Sequence, residues 1–298
     1  MRVELRFFLS LLIDGGLAGT LYALIALAFV LVYKSSRMVN FALGEWVMFG
    51  ALLAGAGQFG LGLHTGGAIL FGAAAMAGFG AAFNAVVVLP LAARPVVSLI
   101  MVTIGLGAVM RGIAALCFAG VPRGVSLPIP SEPLLLGDIP ISPEKLAAAA
   151  TAAFSVALVA WFYARSRTGV ALRAIADDPQ AAAAAGIDIH RQFALVWAMT
   201  GVISTVAGIL WTFVAGSGFG IALVGLKIFP IVIIGGLDSL AGTIVAAMLI
   251  GVLESLGAGY LDPHLGGGFG TVVSYLLLMA MLLVRPYGLF GRAPAERV

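Results

Sequence analysis

Cysteine occurs once, at Cys117 inside an apolar run. A single thiol excludes an intrachain disulfide and any cysteine-cluster metal site. Histidine occurs at His64, His190 and His264, in different loops and without metal-ligand spacing. No metal or other cofactor is expected. Charge is scarce too: 10% of residues are charged, against about 25% in a soluble domain. There is no GxxxxGK(S/T) loop, so energy from a nucleotide would have to come from another subunit. No Ser/His/Asp set or zinc motif is present, and the pair Asp177-Asp178 has no second acidic cluster at metal-binding spacing. The chain does not read as an enzyme.

What is present is hydrocarbon. The 298 residues are 62% hydrophobic with a mean hydropathy of +1.13. Apolar runs close to 20 residues long suit bilayer-spanning helices and are too long for barrel strands. Too little polar sequence remains for a separate soluble domain. The expected fold is an all-α integral membrane protein, a polytopic bundle of about eight or nine transmembrane helices forming a single domain over 1–298. The spans read as 9–33, 41–58, 67–89, 96–119, 146–164, 193–215, 219–237, 241–261 and 269–284. Arg2 and Arg6 precede the first run as in a signal peptide, but 9–33 is too long for an h-region and reads as a retained span. Span 41–58 is short and holds Glu45. Span 219–237 holds Lys227 and Pro230 and ends in Gly235-Gly236, so it reads as a broken or re-entrant segment. The 40 glycines allow close helix approach; Gly15 and Gly19 have GxxxG spacing, a pattern that also arises by chance in so Gly- and Ala-rich a chain.

Basic residues set the orientation. Alternating spans put Lys34, Arg37, Arg94, Arg165, Arg167, Arg173, Arg191, Arg285, Arg292 and Arg297 on one side, and Arg2, Arg6, Arg123 and Lys145 on the other. Ten against four places the C-terminus in the cytoplasm, and nine crossings then put the N-terminus outside. A re-entrant 219–237 would move the N-terminus inside. The external loop 120–145 contains Pro122, Pro128, Pro130, Pro133, Pro140 and Pro143, which prevent a helix and favour stiff turns. It reads equally as a passive linker and as a docking cap.

The cytoplasmic loop 165–192 carries seven charges between two apolar spans. Within it Asp178 suits an N-cap, Pro179 the first helical position, five alanines the helix and Gly186 its stop. The pattern specifies a helix of about two turns, too short to be stable alone in water. It needs a surface to lie on. A coupling element gripped by a soluble motor and a connecting loop that happens to be helical fit equally. Arg165, Arg167 and Arg173 suit the lipid headgroup level.

Ionisable groups inside spans are costly and mark cavities or partner helices. Asp14, Glu45, Arg111, Lys227 and Glu254 are the candidates, with Asn40, Asn84 and Asp238 near span ends. Glu45 lies about one turn beyond Asn40, so both are expected on one face, lining a path or holding the first two spans together. Arg111 needs a counter-charge, with Glu254 and Asp14 as options. Lys227 either meets a solute carboxylate beside the helix break or snorkels to the surface.

Five blocks in order resemble one family. Arg37-Met38-Val39-Asn40-Phe41-Ala42-Leu43-Gly44-Glu45 is similar to an "(I/L)NFAHGE" signature, with Leu43 where the family often has His. Thr103-Ile104-Gly105 with Arg111 follows. The loop from Thr168-Gly169 through Asp177-Asp178-Pro179, Ala182 and Ala185-Gly186-Ile187 comes next. Then come Ile233-Ile234-Gly235-Gly236-Leu237-Asp238-Ser239-Leu240-Ala241-Gly242 and the ending Arg285-Pro286-Tyr287-Gly288-Leu289-Phe290-Gly291. The chain thereby resembles permeases of the branched-chain amino acid ABC transporter family. The resemblance implies an inner-membrane importer subunit for hydrophobic amino acids or a related small solute such as urea or an amide. It implies a second permease subunit, identical or homologous, two cytoplasmic ATPase subunits and a periplasmic solute-binding protein as partners. By it, Asp177, Asp178, Pro179, Ala182, Ala183, Gly186 and Ile187 would form the ATPase-coupling helix. Asn40, Glu45, Arg111, Lys227 and Glu254 remain the translocation-path candidates. The alternative is a self-sufficient secondary transporter or channel, which would need coupling-ion carboxylates at the midplane, where this chain offers few.

Overall fold

The computed structural model describes residues 2–91, 94–118, 125, 127, 129, 132–136, 139–215, 219–285 and 287–291. Pro122, Arg123, Pro128, Pro130, Pro286, Arg292 and Arg297 lie outside them.

The elements follow the apolar runs. They are α1 (Arg2–Ser36), α2 (Leu43–Gly55), α3 (Thr65–Phe83), α4 (Leu89–Leu91), α5 (Val96–Cys117), α6 (Pro143–Arg165), α7 (Arg167–Asp177), α8 (Pro179–Ala184), α9 (Ile189–Ala215), α10 (Val224–Gly235), α11 (Leu240–Tyr260), α12 (Asp262–Leu265) and α13 (Phe269–Val284). The only strands among the described residues, β1 (Leu134–Leu136) and β2 (Ile139–Ile141), form an antiparallel hairpin inside the proline-rich loop. The chain is therefore an all-α polytopic membrane protein.

Among the described residues six helices are long and apolar enough to cross a membrane: α1, α3 extended to Leu91, α5, α6, α9 and α11. The other three expected spans are short. Helix α2 has 13 residues and runs on into a π-helical turn, Ala56–Gly60. Helix α13 has 16 residues. Helix α10 has 12 residues with Pro230 inside. At 1.5 Å per residue it is about 18 Å long, well under the ~30 Å hydrocarbon core. A 3-10 turn, Phe219–Leu223, leads into it. The break expected at Lys227 and Pro230 is not seen: the helix runs through both residues, continues the 3-10 turn as one apolar stretch from Gly220 to Gly235, and stops at Gly235-Gly236.

The chain forms two compact units interleaved in sequence, 1–30 with 129–153 and 226–298, and 31–128 with 154–225. In the second, α2, α3 and α9 build the core, and small residues bring their backbones together. A Cβ on Gly208 of α9 would lie 2.0 Å from the Val47 carbonyl oxygen of α2, and one on Gly80 of α3 2.2 Å from that of Trp197. Trp46 packs against Phe79, Phe83 and Trp197, with ring centroids 5.1–5.9 Å apart. Helix α2 is buried nearly all round, as a uniformly apolar helix should be. In the other unit, Gly15 and Gly19 of α1 meet α11: Cβ atoms there would stand 2.6 Å from the Val252 Cα and 2.9 Å from the Met248 Cα. The GxxxG spacing is a true helix contact.

Candidate functional site: a sealed loop helix and two intramembrane charge clusters

The loop is built from local hydrogen bonds. Ser166 caps α7 by accepting from the Gly169 amide at 2.9 Å. The Asp178 carboxylate caps α8 by accepting from Gln180 and Ala181 amides at 2.9 and 3.1 Å, and Pro179 occupies the first turn, where a missing N–H leaves no bond unmade. At the other end Gly186 takes φ +84°. Its amide donates to Ala183 O (2.9 Å) and the Ile187 amide to Ala182 O (3.1 Å), the paired bonds of a Schellman stop. Of the six residues in α8 only Ala182 is buried. The helix thus stands with both ends sealed and a bare alanine surface outward.

Helix α7 anchors it. Leu172 and Ile175 are buried. Arg173 finds partners within the protein. Its guanidinium donates to the carbonyl oxygens of Tyr163 and Ala164, capping the end of α6. It also lies 5.5 Å from the Tyr163 ring centroid, and the Lys34 ammonium lies 5.1 Å from the same ring. Gly169 makes the approach possible, since a Cβ there would stand 2.1 Å from Tyr163 O.

The first intramembrane cluster joins α2 to α5. Arg111 is ion-paired with Glu45, whose side chain is 6% exposed against 52% for Arg111. Neither Glu254 nor Asp14 supplies the counter-charge, because both belong to pairs elsewhere. Gly107 clears the space: a Cβ there would sit 3.1 Å from the Glu45 Cδ. Asn40 does not share a helical face with Glu45, because α2 begins only at Leu43. Its Oδ1 accepts from the Ala42 amide at 3.0 Å and so shapes the turn into α2, while the Phe41 amide donates to Thr103 Oγ1 at 3.3 Å.

The second cluster surrounds Glu254 of α11. One carboxylate oxygen accepts from Tyr22 Oη at 2.5 Å and Lys227 Nζ at 3.3 Å, and the other from Ser274 Oγ at 2.9 Å. Lys227 also donates to Tyr22 Oη at 3.3 Å. Lys227 thus pairs inside the protein rather than snorkelling. Nearby, Pro230 leaves the Leu226 carbonyl without its i+4 donor, and the Tyr275 hydroxyl donates to that oxygen at 3.3 Å. Asp14 pairs with Lys145 at 3.2 Å, with side chains 51% and 36% exposed. Among the described residues no group of three or more His, Cys, Asp or Glu side chains is placed to hold a metal.

The family model described as "Branched-chain amino acid transport system / permease component" matches residues 11–285. The chain belongs to that family. It is 29% identical, over the full length of both chains, to the high-affinity branched-chain amino acid transport system permease protein LivH of Salmonella typhimurium. It is 28% identical to BraD, the corresponding protein of Pseudomonas aeruginosa, over 99% of each chain. A probable branched-chain amino acid transport permease protein LivH of Methanocaldococcus jannaschii is 35% identical over 43% of this chain and 42% of that one. The permease is a multi-pass membrane transport component and not an enzyme. Of the polar residues singled out from its sequence, the structure unites Glu45 with Arg111, Lys227 with Glu254 and Asp14 with Lys145, and leaves Asn40 in a turn. Tyr22, Tyr163, Ser274 and Tyr275 of the permease escaped the sequence reading. The signal for Tyr275 lay in Pro230, which advertises a free carbonyl four residues back; for Tyr22 it was a hydroxyl within an apolar run that has to find a partner.

Proposed function

We propose that this permease is the transmembrane subunit of a binding-protein-dependent ABC importer. It carries branched-chain or other hydrophobic amino acids, or a related small solute such as urea or an amide, across a bacterial inner membrane. In this reading the whole chain acts as one permease domain. It pairs with a second permease, identical or homologous, receives solute from a periplasmic binding protein and is driven by two cytoplasmic ATPase subunits. The C-terminus and the 165–192 loop face the cytoplasm, and the N-terminus faces the periplasm.

The observation that carries the proposal is α8. A helix of 6 residues is marginal in isolation, yet this one is capped at both ends and keeps five of its residues uncovered. Such a helix is completed by lying in another protein's groove. Asp177, Asp178, Pro179, Ala182, Ala183, Gly186 and Ile187 form the coupling element, and its narrow alanine surface sets how closely the ATPase subunit can approach. Arg173 ties the element to the end of α6, so force applied to the loop reaches a span directly. Along the translocation path, Glu45 holds Arg111 by one side while the half-exposed guanidinium keeps donors for a solute carboxylate. Asn40 shapes the turn that presents Glu45. Lys227 and Glu254 line the path on α10 and α11.

The test is ATP-driven uptake by the assembled importer in proteoliposomes, with Ala183→Glu in the permease. Ala183 is exposed, so the variant is expected to insert and fold normally while uptake falls at least tenfold. Undiminished uptake by Ala183→Glu, or uptake by the permease without ATPase subunits, overturns the coupling assignment.

A further inference from the structure

Two of the sequence blocks, 233–242 and 285–291, lie about 50 residues apart in the chain yet form one knot. The end of α10 leaves its last carbonyls without helical donors. The chain after α13 supplies one: the Leu289 amide donates to Ile234 O at 2.7 Å. A turn closed by Gly288 N to Arg285 O at 3.0 Å brings Leu289 there. Gly288 is buried at φ +79°, and a Cβ on it would stand 2.4 Å from Ile233 O and 2.9 Å from Gly236 N. Gly236, at φ +100°, turns α10 towards α11 and faces the returning segment, where a Cβ would stand 2.6 Å from Gly291 N. Gly242 at the start of α11 faces the Phe290 Cβ, with 2.9 Å from its own ideal Cβ position. Ser239 caps α11 by accepting from the Gly242 amide at 3.0 Å, and its own amide donates to Gly236 O at 3.0 Å. Three segments therefore meet where no glycine can gain a side chain.

We propose that the 285–291 segment is a clamp that seats the C-terminal end of the short helix α10 against α11, and thereby sets where Lys227 presents its ammonium to Glu254. With 12 residues α10 is shorter than the about 20 that span a bilayer, so contacts within the protein have to fix its position along its axis. Side chains hold it at one end, through Lys227 and the Tyr275 bond to Leu226. The backbone of the returning chain holds the other. Gly288, Leu289 and Gly236 are positioning residues: they act on the charge cluster through the seat of α10.

The proposal is tested on the full chain in lipid vesicles, in a Cys117→Ser background and without ATPase or solute. Nitroxide labels at Leu226→Cys and Leu249→Cys, both exposed, report the α10–α11 distance by pulsed electron resonance. A second pair, Leu249→Cys and Val272→Cys, reports α11–α13. Introducing Gly288→Ala is expected to shift or broaden the 226–249 distribution by about 2 Å, the scale of a packed-helix shift, and to leave the 249–272 distribution unchanged. No change in either pair overturns the clamp. Equal broadening of both pairs also overturns it, because the segment would then support the fold at large. If Gly288→Ala fails to accumulate, Phe290→Ala, at a side chain 54% exposed, is read in the same way with a smaller shift.

Discussion

The 166–187 loop and the Glu254 cluster are both polar features of an apolar protein, and they are built in opposite ways. The caps of α7 and α8 link residues two to five positions apart, such as Asp178 to Gln180 or Ile187 to Ala182. The partners of Glu254 include Tyr22, 232 residues away in sequence, and Arg111 meets Glu45 across 66 residues. Local bonds are a property of the segment, so they are written in its sequence. Long-range bonds are a property of packing and exist only once the helices are placed.

The largest expected effect separates the two kinds of construction. Replacing Glu254 by Leu strands Lys227 and removes the acceptor for Tyr22 and Ser274 at once. Breaking a buried pair on one side costs about 3–5 kcal/mol; the 29% exposure of Lys227 puts this site at about 3 kcal/mol. Thermal unfolding in detergent should show that loss for Glu254→Leu and recover much of it in Glu254→Leu with Lys227→Met. No recovery in the double variant would mean that the cluster is not held by its charge balance.

The same contrast sets what could be read in advance. The span positions, the stop at Gly235-Gly236 and the capped α8 were legible because each rests on local pattern: apolar run length, a glycine pair, an Asp-Pro start and a glycine stop; the break expected at Pro230 was not found, since α10 runs through it. The charge partners were not legible. Asp14 and Glu254 looked as suitable for Arg111 as any carboxylate, because sequence separation says nothing about which helices touch. The Asn40–Glu45 spacing predicts a shared face, but the chain turns at Arg37, at φ 55°, and α2 starts only at Leu43. The targets of Arg173 were not legible either, because they are backbone carbonyls, which have no side-chain signature.

A smaller effect is expected in the loop. Asp178→Ala removes the cap of α8, worth about 1 kcal/mol. Because the loop's bonds are local, the loss should stay local. Hydrogen–deuterium exchange at the amides of Gln180 and Ala181 should quicken roughly fivefold, the equivalent of about 1 kcal/mol, while exchange in α10 and α11 is unchanged. Faster exchange in those helices would show that the loop supports the membrane core and would erase the distinction drawn above.

The smallest effect sits where the two kinds of construction meet. Pro230 is a local feature, and what it does locally is withhold the N–H that Leu226 O would receive in an unbroken helix. The remedy is long-range: Tyr275 on α13 donates its hydroxyl to that oxygen across 49 residues. At 3.3 Å this is a long bond, so Tyr275→Phe should lower stability by about 0.5–1 kcal/mol, the lower half of the usual range. Pro230→Ala restores the missing donor, and in that background the carbonyl no longer needs the tyrosine. The cost of Tyr275→Phe should then fall towards zero, a coupling that a double-mutant cycle measures directly. Equal cost in both backgrounds would mean that the hydroxyl serves Glu254 or the lipid interface instead. The proline would then leave a loose carbonyl in α10 that is satisfied in some other way.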